Sequence, residues 1–238
     1  MTGATLAELR AAAEAAGGMR VAAFALSPDA LSPHAPGPET LPGARVVALL
    51  SSGPRMWAEF RASPEAADGG PDPLDRWSSR ISAQLASDFG GVAIGPNDGP
   101  PWPPFLDWAR RAEPVWPSRL GPLVHARLGL WAAWRGALGL PALEGVAPRP
   151  APGPSPCLDC SAPCLSTCPV AAFAETPDGP RYDVAACAAH VASPSGAACL
   201  GRGCLARHAC PVGGEGAPRA EQARFHMKSF LATRDLVN

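Results

Sequence analysis

Residues 157–169 read Cys157-Leu-Asp-Cys160-Ser-Ala-Pro-Cys164-Leu-Ser-Thr-Cys168-Pro169, a C-x2-C-x3-C-x3-C-P run. Thiols this closely spaced curl the chain around one centre, with the intervening backbone amides turned inward. Proline then diverts the chain, because its φ is fixed and it lacks an N–H. The fourth thiol is thereby free to serve a different centre. A second punctuation of the same kind follows in Cys199-x4-Cys204-x5-Cys210-Pro211. Between the two, Val170–Phe173 is apolar and strand-like, Thr176-Pro-Asp-Gly-Pro180 supplies turn residues, and Arg181-Tyr182 returns as a second strand. Asp183 is placed to cap a short helix carrying Cys187.

All eight cysteines lie in residues 157–238 and all seven tryptophans in residues 1–140. Between them, prolines at 141, 148, 150, 152, 154 and 156 mark residues 141–156 as an extended Pro-rich linker. Glu8, Arg10 and Glu14 interrupt any apolar leader, so the expectation is a cytoplasmic protein with reduced thiols. Bacterial ferredoxins use C-x2-C-x2-C-x3-C-P, one residue shorter in the middle. The reading is a ferredoxin-like, metal-binding module with two [4Fe–4S] clusters for electron transfer. Zinc stands as an alternative, although only Cys157 and Cys160 form a knuckle pair. A degenerate module without clusters is the other, since the second motif is stretched. His190, His208 and His226 are spare candidate ligands.

The order of these motifs resembles the epoxyqueuosine reductase family, which joins a cobalamin-binding α+β domain to a two-cluster domain. The resemblance implies that Cys157, Cys160, Cys164 and Cys210 hold one cluster, and Cys168, Cys187, Cys199 and Cys204 the other. The departures are one extra residue before Cys164 and two in each gap after Cys199.

Upstream, Thr5–Ala16 reads as a helix capped by Thr5 and stopped by Gly17-Gly18. Arg20–Leu26, Ala44–Leu50, Val92–Ile94 and Leu130–Leu138 read as strands, and Leu74–Phe89 and Phe105–Ala112 as helices. Strands and helices without strict alternation give an α+β class: an N-terminal mixed sheet with flanking helices over 1–140, then the cysteine module with a closing helix at Ala220–Leu231. The stretches Glu113–Leu120 and His125–Gly136 are similar to the same reductases, and Gly129–Gly136 to a corrinoid-processing protein. Both place a corrinoid on a fold related to flavin-dependent nitroreductases, so the resemblance implies a cobalamin or flavin. Trp131, Trp134 and Arg135 are the candidate pocket residues, against a plain reading as core strand with Arg135 solvated. His125 is a candidate relay or a structural histidine. The family's acidic proton donor falls at Arg111, with Glu113 only a neighbour, so no catalytic acid transfers.

The expected function is an iron–sulfur oxidoreductase taking electrons from a donor protein, with a small-molecule substrate. A carrier or cofactor-handling protein is the rival. The net charge is −1, Lys228 is the only lysine, and Arg110-Arg111 is the only adjacent basic pair. The family carries a further helical-repeat region, whereas this chain runs 28 residues past Cys210. These features predict no nucleic-acid partner. The longest apolar runs are strand-length, which predicts no membrane span.

Overall fold

The computed structural model describes residues 3–26, 41–148, 151 and 153–235; residues 149–150 and 152 of the expected linker lie outside these. In chain order the elements are α1 (Leu6–Gly17), β1 (Met19–Ala25), β2 (Val46–Ser52), α2 (Met56–Arg61), α3 (Pro73–Asp88), β3 (Val92–Ile94), α4 (Phe105–Ala112), β4 (Val115–Pro117), β5 (Leu123–His125) and β6 (Trp134–Leu140). They continue as α5 (Pro163–Ser166), β7 (Phe173–Thr176), β8 (Gly179–Tyr182), α6 (Val184–Ala192), α7 (Ala197–Arg202), α8 (Leu205–His208) and α9 (Ala220–Asp235).

The chain divides into two compact units. One is Met1–Glu113 with Ala133–Ala151; the other is Pro114–Ala132 with Pro152–Asn238. Residues 114–132 therefore pack with the cysteines, although the sequence reading placed them in the first domain. Contacts distant in sequence decide this, and no local pattern announces it.

The α+β class holds in the first unit. Its sheet runs β1-β2-β6-β3, and the ladders are antiparallel throughout rather than mixed. Strand β2 pairs on both sides, with Ala48 opposite Ala23 and Leu138. Val46 through Ser51 are all buried, which accounts for a continuous apolar run instead of alternation. Helix α1 begins in a reciprocal cap: Thr5 Oγ1 accepts from the Glu8 amide at 3.2 Å, and Glu8 Oε2 accepts from the Thr5 amide at 2.7 Å. Leu9 and Ala13 of α1 are buried, as are Trp77, Ile81 and Leu85 of α3. The Phe60 and Trp77 rings meet edge-on at 5.8 Å. Gly136 in β6 lets α3 approach closely, since a Cβ there would lie 2.4 Å from Ser82 Oγ.

The second unit has two small antiparallel ladders, β4 with β5 and β7 with β8. Leu120, Val124, Leu130 and Ala206 form its buried cluster, and five of the cysteines pack against it. Gly129 has φ +56°, and a Cβ on it would lie 1.9 Å from the Val212 carbonyl oxygen. The 125–131 turn and the chain after Cys210-Pro211 thus touch backbone to backbone. Among the described residues no single helix is long and apolar enough to cross a membrane.

Candidate metal centre

The cysteine motifs fold locally as short helical turns separated by strained or rigid residues. Ala162, the last residue of its loop, takes φ +56°, and Pro163 then opens α5, which carries Cys164. That left-handed step, a conformation costly for a residue with a Cβ, falls within the longer gap before Cys164. After Cys168-Pro169, Ala171 takes φ +48°, and the Ala172 amide donates to Cys168 Sγ at 3.3 Å. The β7–β8 hairpin follows, then α6, whose cap Asp183 accepts from the Ala186 amide at 2.9 Å. That helix carries Cys187, and α7 carries the buried Cys199. The longer gaps after Cys199 are not slack: one completes α7 and the other forms α8.

All eight cysteines are free thiols. Cys157, Cys160, Cys164 and Cys210 line one pocket, together with Arg119 and Leu130. Burial pushes the Cys164 thiol up, and Cys210, Cys157 and Cys160 lie close enough to push it further. Burial likewise raises Cys199, where Cys204, Cys187 and Cys168 add to the shift. Cys157, Cys160, Cys164 and Cys210 thus share one pocket, and Cys199 lies within electrostatic reach of Cys204, Cys187 and Cys168. Burial also raises Cys204, opposed by the backbone amides of Arg207 and Ala206 and by the Arg207 charge. Among the described residues no three His, Cys, Asp or Glu side chains converge as for a single metal ion.

The other candidates fall elsewhere. His125 is buried, and its Nδ1 accepts from the Arg127 and Leu128 amides at 3.0 and 3.1 Å, so it shapes the turn before Gly129. His208 Nε2 lies 2.8 Å from the Arg202 carbonyl oxygen, and its ring lies 4.8 Å from that of Trp131. His190 sits in the last turn of α6, and His226 packs edge-on against Phe225. Trp131 precedes β6 in a turn and belongs to the second unit, while Trp134 and Arg135 belong to the first. Arg135 is not solvated: it is ion-paired with Asp75 and donates to Ser78 Oγ at 3.3 Å.

Glu113 is the residue that sequence reading passed over. It is 9% exposed, and the Trp134 indole donates to its Oε2 at 2.6 Å. Burial raises its carboxyl pKa, while the Trp134 bond and the Arg20 charge oppose the rise. Glu113 was visible only as a neighbour of Arg111. Arg111 itself stacks over the Phe24 ring at 4.4 Å.

An antiparallel α+β unit, joined in one chain to a unit that carries all eight cysteines, defines the fold class. No family model matches the chain, and no curated protein does. Solved structures do match. An epoxyqueuosine reductase with a tRNA-Tyr epoxyqueuosine-modified tRNA stem loop superposes with a TM-score of 0.51 at 13% identity, over 92% of this chain and 68% of that one. The Bacillus subtilis epoxyqueuosine reductase, with a catalytic loop swung out of its active site, gives 0.52 at 13% identity, over 90% and 66%. Selenomethionine-labelled epoxyqueuosine reductase gives 0.51 at 13%, over 92% and 68%. The chain has the fold of these enzymes and spans about two thirds of their length. The expectation of no nucleic-acid partner is overturned here, because one neighbour was solved holding an RNA stem loop. Net charge was the wrong measure: it sums the whole surface, while an RNA backbone meets only a local set of cations.

Proposed function

We propose that the second unit holds two [4Fe–4S] clusters, one on Cys157, Cys160, Cys164 and Cys210 and one on Cys168, Cys187, Cys199 and Cys204. The observation that carries this is the pocket lined by Cys157, Cys160, Cys164 and Cys210, all free thiols, with the other four free cysteines in the same unit. Four thiolates per centre is the ligand set such clusters require. When bound, the clusters supply one-electron transfer, which makes the chain an iron–sulfur oxidoreductase fed by a reduced donor protein. The backbone amides at Cys168 and Cys204 stabilise thiolate charge, and the packed apolar cluster around Leu130 limits water at the sulfurs.

The electron acceptor in the first unit is a corrinoid or flavin, as the fold likeness and the stretch through Gly136 imply. Within that unit Glu113 is the candidate proton donor to a bound substrate, because burial favours its neutral form. The fold likeness supports a modified RNA stem loop as the substrate class, in place of the small molecule expected from charge.

Anaerobic purification tests the core of this reading. About eight irons and eight sulfides per chain are expected; stoichiometric zinc without iron overturns it. Gel shift with a tRNA stem loop tests the substrate class: binding should weaken steeply as salt rises, and no binding at low salt removes RNA from the proposal.

A further inference from the structure

The second quartet carries a cation that the first does not carry in the same way. Arg207 lies in the stretched gap between Cys204 and Cys210, on α8. Its Nε donates to the Leu130 carbonyl oxygen at 3.0 Å, and Nη2 donates to the same oxygen. Its Cζ stands 4.1 Å from the centre of the Trp131 ring. Trp131 is itself held against His208, one residue further along α8. Among the described residues no carboxylate pairs with Arg207. Burial lowers its pKa and Cys204 raises it, yet a guanidinium starts so high that its charge persists at neutral pH. At the first quartet, Arg119 donates to the Cys157 carbonyl oxygen at 3.1 Å but also faces Glu175 Oε2 at 3.4 Å. That carboxylate offsets its charge.

We propose that Arg207, clamped between the Leu130 carbonyl and the Trp131 ring, is a positioning residue that raises the reduction potential of the cluster on Cys168, Cys187, Cys199 and Cys204. The inference rests on the cluster assignment above. Reduction adds one electron, hence one negative charge, to a centre already ringed by thiolates. A fixed, partly desolvated and unoffset cation one helical turn from Cys204, on the helix that Cys204 caps and against the Leu130 cluster on which Cys204 packs, favours that extra charge, and local charge is among the terms that set cluster potentials. On this account the longer gap of the second motif has a use: it makes the helical turn that delivers Arg207.

The test is a redox titration of the intact iron-loaded protein, with dithionite as reductant and electron paramagnetic resonance as readout. In the wild type, one of two signals should appear at the higher potential. Arg207→Met should move that signal alone to lower potential, by at least tenfold in the reduced-to-oxidised ratio, or about 59 mV. Arg207→Lys, which keeps the charge, should restore most of the shift. Iron content measured in parallel separates the two readings: a wild type without iron sinks the cluster assignment, whereas full iron with unmoved potentials in Arg207→Met sinks the role of Arg207. If Arg207→Met sheds iron, Trp131→Leu carries the test. Removing the ring lets water reach the guanidinium, so the same signal must fall by a smaller amount, and an unchanged potential overturns the proposal.

Discussion

The two units keep themselves together by different means. The first buries ordinary hydrocarbon: β2 is covered along its length, and Leu9, Phe60, Trp77 and Leu85 are buried in the same unit. The second has a small buried cluster of Leu120, Val124, Leu130 and Ala206, and much of what packs against it is sulfur. Metal ligation is a source of stability that folding can use directly, and the cysteines that would supply it are part of this packing. The first unit should therefore be indifferent to iron, and the second dependent on it.

Stripping iron with a chelator under anaerobic conditions should give the largest effect. Limited proteolysis is expected to cut rapidly within 157–235 and 114–132 while the first unit's sheet stays protected. Equal cutting rates in both units would erase the contrast. Next comes Gly129→Ala, which puts a methyl against the Val212 carbonyl and forces an L residue into φ +56°. A cost of about 3 kcal/mol or more is expected, read as reduced iron retention with little change in unfolding of the first unit. Leu85→Ala is the mirror image: about 2–5 kcal/mol from a site 1% exposed in the first unit, with iron content near that of the wild type.

The smallest effect sharpens the electrostatics of the first unit. The Glu113 carboxyl is raised by burial above its ordinary value of 4.5. A group whose pKa is higher in the folded state stabilises the fold in full below about pH 4.5, and that contribution is lost as pH rises through the folded value. Glu113→Gln keeps the shape and removes the titration, so its melting temperature should lose this part of the pH dependence. A wild-type profile as flat as the variant's would show that Glu113 is not held protonated.

Elements with strong local signals were legible in the sequence. Val92–Ile94 and Phe105–Ala112 form where periodicity and flanking residues put them, and Thr5 and Asp183 cap the helices that their positions suggest. The strand read as Leu130–Leu138 begins only at Trp134, because Gly129 turns the chain and Trp131 is taken up by Arg207 and His208. Helix α2 and the β4–β5 ladder left no clear trace, the latter because Pro114, Pro117, Gly121 and Pro122 mask the alternation. The motif spacing marked all eight cysteines, and all eight fall in the second unit. The burial of Glu113 and the clamp on Arg207 depend on residues 21 and 77 positions away, and no window of local sequence contains them.

The loan of residues 114–132 to the second unit has a consequence for how the protein is made. As the chain leaves the ribosome, Leu120, Val124 and Leu130 emerge well before Ala206 and Val212, the residues they pack against. At roughly 5–20 residues per second, this apolar turn waits on the order of five to fifteen seconds for its partners. The first unit's sheet is meanwhile completed by β6, which arrives only a few residues later. Biogenesis thus passes through a stage in which a finished sheet displays an unfinished hydrophobic loop, and that stage is where a holding chaperone or a cluster-delivery factor would find its opportunity to act.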